Sequence, residues 1–242
     1  MLNNHMNRTK RQARLAGLFY LLASIPAPFG LIYVPNKLIV PNDATATADH
    51  IRTSESLLRL GIASELLGSI LFILVVVALY RLFKAVNETH ALAMMILILV
   101  SIPISLLSVV NELAALLLVS GADFLSVFNK GQLDALAYLF MRLHSREVLV
   151  AEIFWGLWLI PFALLVIRSG FIPRVLGFLL LIAAFGYLAS SLTGLVLPSY
   201  RQLVDQFAGI LEAAELPIIF WLLIWGARNQ PLDSQSPDRA IV

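Results

Sequence analysis

The sequence contains no cysteine and few charged residues, and both shortages narrow the possible functions. Zero cysteines in 242 residues exclude disulfides, thiol catalysis and cysteine-ligated metal sites. Charged residues make up 13% of the chain, whereas soluble domains contain about 25%. The net charge of +2 is too small to indicate a nucleic-acid partner, so none is expected. Because so few charges cannot cover a water-exposed surface, most of the chain is expected to lie in a lipid bilayer.

Apolar residues form 60% of the chain and are concentrated in six long runs. A helix needs about 20 mostly apolar residues to cross the hydrocarbon core of a bilayer. The alternating pattern of a membrane β-barrel is missing, so we predict an all-α, polytopic membrane bundle of six transmembrane helices. The predicted spans are Leu15–Val34, Leu57–Leu79, Ala91–Val119, Val148–Ile167, Val175–Leu197 and Phe207–Trp225.

The distribution of lysine and arginine predicts the orientation of these spans. Four basic residues between Arg8 and Arg14 precede the first span, which favours a cytoplasmic N-terminus. With six crossings the C-terminus returns to the cytoplasm, and ten of the 17 Lys and Arg residues then lie inside, against seven outside. We therefore expect a multi-pass protein of the plasma (inner) membrane. Its predicted parts are a basic cytoplasmic N-terminus (1–14), a membrane domain (15–228) and a disordered cytoplasmic tail (229–242).

The predicted outer loops, 35–56 and 120–147, are much longer than the inner ones. In the first, the stretch from Asp43 to His50 follows a Pro-Asn turn and is typical of a short capped helix. In the second, apolar residues recur at helical spacing between Leu133 and Leu143, which indicates an interfacial helix or a helix folded into the mouth of the bundle. We therefore expect extra short interfacial helices on the outer side.

Acidic residues inside the predicted spans are the main candidates for a functional site. No Lys or Arg lies comparably deep, and a rise of 1.5 Å per residue places these acids in the outer half of the membrane. Asn111 lies beside one of them, and His144 lies near the outer mouth of the fourth span. The candidate ligand-binding residues are Glu65, Asn111, Glu112, Glu152, Glu212, Glu215 and His144.

An ionised carboxylate at mid-membrane costs roughly 2.5 kcal/mol or more, so these acids need an explanation. They are protonated, or they bind a cation, or they line a wet outward-facing cavity; alternatively, they hydrogen-bond neighbouring helices and have only a structural role. The three deepest, Glu65, Glu112 and Glu215, are expected to face one another across the bundle interior. His144 is a candidate proton relay or metal ligand.

Four short runs, taken in order, indicate a family. They are Ala13–Tyr20, Leu57–Gly61, Leu117–Phe124 and Ser169–Gly177. Together they resemble the domain-of-unknown-function family 4386, a family of prokaryotic integral membrane proteins, over about residues 11–228. The resemblance implies a polytopic prokaryotic membrane protein and brings no activity, substrate or catalytic residue.

The residues therefore support three hypotheses from different classes. The first is binding or transport of a small cation, proton or amine through an acidic outward-facing cavity. The second is a membrane-embedded enzyme that acts on lipid near the outer surface by glutamate or histidine acid–base chemistry. The third is a structural, accessory or sensor protein.

No HExxH, GxSxG or P-loop motif is present, so the sequence leaves the identity of any cofactor or metal open. The expected partners are the bilayer and a small cation or lipid headgroup, and the oligomeric state is open.

Overall fold

The computed structural model describes residues 2–227, with side chains from Thr9 onward, and in this range all regular structure is helical. Six helical stretches are long and apolar enough to cross a membrane. The predicted all-α bundle of six spans is therefore confirmed, and the chain is a multi-pass membrane protein. The tail predicted for residues 229–242 lies outside the described residues.

The helices follow one another around a closed bundle. Each span packs against the next one along the chain, α7 lies between α6 and α8, and the last helix, α10, returns to pack against α1. The helices are α1 (Leu2–Ala23), α2 (Pro26–Pro28), α3 (Val34–Leu38), α4 (Ala44–Thr53), α5 (Glu55–Phe83), α6 (Glu88–Val119), α7 (Lys130–Ser169), α8 (Arg174–Val196), α9 (Arg201–Glu212) and α10 (Leu216–Ile224).

The span helices bury one face and leave large apolar side chains on the other. On α5, Leu58 and Val75 are fully buried, whereas Leu60, Leu67 and Leu74 are exposed at seven-residue spacing. A helix turns once every 3.6 residues, so these leucines form one stripe. Such a stripe suits a surface in contact with lipid.

The buried residues form a large and a small apolar cluster. The large one includes residues of α1, α5, α6, α7, α8 and α10. The small one lies at the end of the bundle that carries the loops 39–54 and 120–129, which we call the long-loop end. This small cluster consists of Val34, Leu38, Ile51, Leu58, Ile62, Val109, Ala115, Leu116, Ala137 and Met141.

Helix α7 differs from the prediction. The expected interfacial helix through 133–143 and the expected span Val148–Ile167 are one continuous helix of 40 residues. Its length is about 60 Å, roughly twice the hydrocarbon thickness. The polar residues between the two parts lower the hydropathy, but none of them breaks a helix. The helix begins after Asn129 with a capping box to Gln132.

Helix α4 lies against α7 at the long-loop end and confirms the short capped helix expected there. The side chain of Asp43 accepts a hydrogen bond from the backbone N–H of Ala46 at 2.8 Å. Arg52 forms ion pairs with Asp49 and with the buried Asp134 of α7. Hydrogen bonds from Arg52 and Lys130 lower the pKa of the Asp49 carboxyl below its usual value. Charged groups thus fasten α4 over the small cluster.

Prolines interrupt the first and last spans, as expected from their missing N–H groups. After Pro26 and Pro28 the first span passes through a π-helical turn, Phe29–Tyr33. The last span is broken by a 3₁₀ turn, Ala213–Glu215, just before Pro217. Turns of these types often mark functional sites.

At the π turn the first span packs very closely against α5. A Cβ atom added to Gly30 would lie 2.5 Å from the Glu65 Cγ and 2.8 Å from the Gly61 carbonyl oxygen. Real Cβ atoms do not approach other atoms so closely, so only glycine fits at residue 30 without movement. The first span is thus held directly against the glutamate of α5.

We expect Gly30→Ala to destabilise the protein because the new methyl group overpacks the contact between the first span and α5. Overpacking costs about 1–3 kcal/mol, which corresponds to a fall of several degrees in the thermal unfolding midpoint. Gly209→Ala is the control, because a Cβ there meets no atom within 4 Å. Unfolding of both variants in detergent, followed by circular dichroism, tests this. Equal midpoints for the two variants would contradict the tight contact.

Candidate functional site

Three of the predicted site residues meet between α5, α6 and α7. The Nε2 atom of His144 lies 3.1 Å from Oε1 of Glu65 and 3.8 Å from Oε1 of Glu112. One ligand atom from each of the three residues lies within 4.8 Å of the other two. We call Glu65, Glu112 and His144 the buried triad.

The helical repeat explains why these three side chains face one another. Each lies three residues after a member of the small cluster: Glu65 follows Ile62, Glu112 follows Val109, and His144 follows Met141. Residues three apart lie on the same helix face, so each triad residue lies on the face of its helix that points toward the core. The triad therefore lies directly beside the small cluster, in apolar surroundings.

The buried triad leaves several polar atoms without hydrogen bonds. Within residues 9–227, both carboxylate oxygens of Glu112, Oε2 of Glu65 and Nδ1 of His144 are buried and have no hydrogen-bond partner. Glu112 is 0% exposed and His144 is 1% exposed. In the same part of the chain, His144 is the only basic residue that pairs with either glutamate. Unpaired buried polar groups cost about 1–3 kcal/mol each, and more when charged, so the burial of these atoms carries a free-energy cost.

Asn111 lies next to the triad but is bonded elsewhere. Its Nδ2 donates a hydrogen bond of 2.6 Å to Oε2 of Glu147. Glu147 is half-buried and lies one turn after His144 on α7. This pair thus forms a second polar contact between α6 and α7, slightly farther from the long-loop end than the triad.

Glu215 is not one of the three grouped residues. Its carboxylate accepts a hydrogen bond from the Tyr20 hydroxyl of α1. The Tyr20 ring packs against Phe72 and Trp158, with ring centres 5.6 Å and 6.1 Å away. Phe72 lies seven residues after Glu65 on α5, about 10 Å along the helix. The structure thus pairs Glu215 with Tyr20 at a separate level, where the sequence predicted that it would face Glu65 and Glu112.

Glu152 and Glu212 form a third acidic region between α7 and α9. Glu152 lies beside Ser190 of α8 and within electrostatic range of Glu212, Arg201 and Asp205. Both glutamates are half-buried. The candidate acids therefore divide into separate regions and do not form one cavity.

Two partners of the candidate residues, Glu147 and Tyr20, are absent from the sequence prediction. Glu147 lies one residue before the predicted start of the fourth span and so was not counted among the membrane acids. A continuous helical pattern from 130 to 169 would have included it. Tyr20 carries no such signal, because tyrosine is common in membrane helices.

The buried triad offers the chemistry of a cation site. Carboxylate oxygens and an imidazole nitrogen are ligand atoms for a metal ion, and the same groups hold and pass protons. The three groups come from three different helices, so a bound cation would tie α5, α6 and α7 together.

Comparison with known proteins gives one finding. A family model described as "Domain of unknown function (DUF4386)" matches residues 15–226, which is most of the chain. Neither the curated proteins nor the solved structures contain a match. The match covers most of the first span and all of the other five, but it brings no activity or ligand. On the extent of this match, the chain belongs to the DUF4386 family of proteins.

Proposed function

We propose that the protein binds a small cation at the buried triad and carries it across the membrane. The observation that supports this most directly is the pair of buried glutamates with unpaired oxygens beside a single histidine. A cation would meet the unpaired oxygens and offset the charge of the carboxylates. Buried oxygens of Glu65 and Glu112 that lack hydrogen-bond partners among the described residues would then have a ligand.

The spacing of the triad favours a single-atom cation over an amine. Ligand atoms 3.1 Å and 3.8 Å apart leave room for one ion between them. An amine carries carbon substituents, which the adjoining small cluster and the closely packed Gly30 leave little space for. Of the ligands in the first hypothesis, we therefore propose a small single-atom cation and not an amine.

Two further acids on α7, each in a polar contact of its own, support transport as well as binding. Along α7, Glu147 lies three residues after His144, and Glu152 lies five residues farther. Acids inside membrane helices typically mark ion pathways. The broken first and last spans add a second feature of transporters, whose binding sites commonly include interrupted helices.

We further propose that both termini lie in the cytoplasm of a prokaryotic cell, so that the long-loop end faces outward. The ten-to-seven distribution of Lys and Arg supports this orientation. Fusions of alkaline phosphatase and green fluorescent protein to the C-terminus test it. We expect fluorescence without phosphatase activity, and the reverse pattern would contradict both the orientation and cation entry from outside.

A cation that binds the triad should stabilise the folded protein. We expect the thermal midpoint of the purified protein to rise with cation concentration, because a ligand that binds only the folded state stabilises it. Glu112→Gln should abolish this rise. Glu55→Gln is the control, since Glu55 is exposed and pairs with Arg59 on the surface. A panel of monovalent and divalent cations, measured by fluorescence-detected unfolding, checks the result. No response of the wild type to any of them would contradict the proposal.

Transport requires movement of the cation as well as binding. In sealed vesicles that contain the protein, we expect uptake of the stabilising cation to exceed that of empty vesicles. Glu65→Gln and Glu112→Gln should each reduce uptake at least tenfold, whereas Glu55→Gln should leave it unchanged. Binding without uptake in any of the vesicles would restrict the function to binding and contradict transport.

A further inference from the structure

We propose that Glu65, Glu112 and His144 bind a divalent first-row transition-metal ion of the zinc class. This inference rests on the proposed cation site and narrows it to one class of ion. It follows from the charge of the triad, its ligand types, its spacing and its unpaired atoms.

Charge selects a divalent ion. In the state that binds a metal ion, two ionised glutamates and a neutral histidine carry a charge of −2, and among the described residues no Lys or Arg pairs with them. A divalent ion makes the site neutral, whereas a monovalent ion leaves one uncompensated charge. An uncompensated charge is costly in the apolar surroundings of the small cluster.

The ligand types select a transition metal. Mg²⁺ and Ca²⁺ prefer sites made only of oxygen ligands, whereas imidazole nitrogen suits zinc and its neighbours in the first row. The triad places a histidine nitrogen between two carboxylates. In the absence of any cysteine, ions that prefer sulfur ligands, such as Cu⁺, are not favoured.

The distances fit a single ion. Zinc binds histidine nitrogen and carboxylate oxygen at about 2.0–2.2 Å, so two ligand atoms of a tetrahedral site lie about 3.3–3.5 Å apart. The distances of Nε2 to the two Oε1 atoms, 3.1 Å and 3.8 Å, lie on either side of this range. Small side-chain rotations would bring all three atoms onto one ion.

The unpaired atoms provide independent support. Glu112 is fully buried, and neither of its oxygens has a hydrogen-bond partner among the described residues; the nearest basic group there is Nε2 of His144, 3.8 Å from its Oε1. A nitrogen must be free of hydrogen to bind a metal. Nε2 of a neutral His144 can therefore bind the ion when the single hydrogen of the ring is on Nδ1, which has no hydrogen-bond partner among the described residues; a carboxyl hydrogen on Glu65 would leave to solvent on binding. Three side chains leave a fourth position for water or for a second carboxylate oxygen.

Cobalt is a direct probe because Co²⁺ replaces Zn²⁺ and absorbs visible light when its coordination number is low. Purified full-length protein, stripped with a chelator, is titrated with Co²⁺ in detergent. We expect an absorption band that saturates at one ion per chain. One equivalent of Zn²⁺ should remove the band, whereas a hundredfold excess of Mg²⁺ or Ca²⁺ should leave it.

Matched variants locate the ion. Glu112→Gln and His144→Gln should each weaken Co²⁺ binding at least tenfold. Glu55→Gln and His50→Gln, which alter an exposed glutamate and an exposed histidine, should not. Circular dichroism confirms that each variant is folded, and zinc competition on the wild-type protein needs no variant.

The outcomes separate this inference from the proposed function. Stabilisation by sodium, magnesium or calcium without Co²⁺ binding would overturn the metal assignment and leave the cation site standing. Equal Co²⁺ binding by wild type and both triad variants would also overturn it. If neither Co²⁺ nor any other cation binds, both the metal assignment and the cation site are wrong.

Discussion

The burial of two carboxylates and one imidazole among apolar side chains is the constraint on which the long-loop end depends. The three groups come from α5, α6 and α7, so these helices must approach one another at the level of Glu65, Glu112 and His144. The small cluster lies directly beside them. In such surroundings electrostatic interactions are stronger than in water, so the two carboxylates repel each other strongly unless a proton or a cation neutralises them.

This constraint also explains the irregular first span. A regular helix with ordinary side chains could not approach Glu65 as closely as Gly30 does. Pro26 and Pro28 interrupt the hydrogen bonds of the helix, and the π turn that follows directs Gly30 toward α5. Helix α4 then covers the same end through the ion pair of Arg52 with Asp134. Backbone irregularity and surface charge thus both act at the end of the bundle where the triad is buried.

Hydropathy and helical length were sufficient to predict six spans, because a bilayer requires about 20 apolar residues per helix. Hydropathy could not predict that α7 continues through residues 130–147, since polar residues end a hydrophobic run without ending a helix. Depth identified Glu65, Glu112 and Glu215 as candidates. Depth contains no information on rotation about the helix axis or on neighbours distant in sequence, so the pairing of Glu215 with Tyr20 could not be predicted. The sequence makes His144 a candidate because it lies near the outer mouth of the fourth span. Its position between two glutamates could not be predicted without knowing that α7 is one continuous helix.

The contrast between Glu215 and Glu112 supports the ligand proposed for the triad. Both are buried acids of the membrane bundle. Glu215 accepts a hydrogen bond from the Tyr20 hydroxyl, so at this acid a neutral donor of the bundle satisfies the buried carboxylate. At Glu112 the same bundle supplies no donor among the described residues, and it places a second acid and a histidine within 4.8 Å. If the site served only stability, a single hydroxyl or amide near Glu112 would be enough to donate a hydrogen bond to its carboxylate. The Asn111 amide is one residue away and instead bonds Glu147, which leaves the oxygens of Glu112 free for a cation.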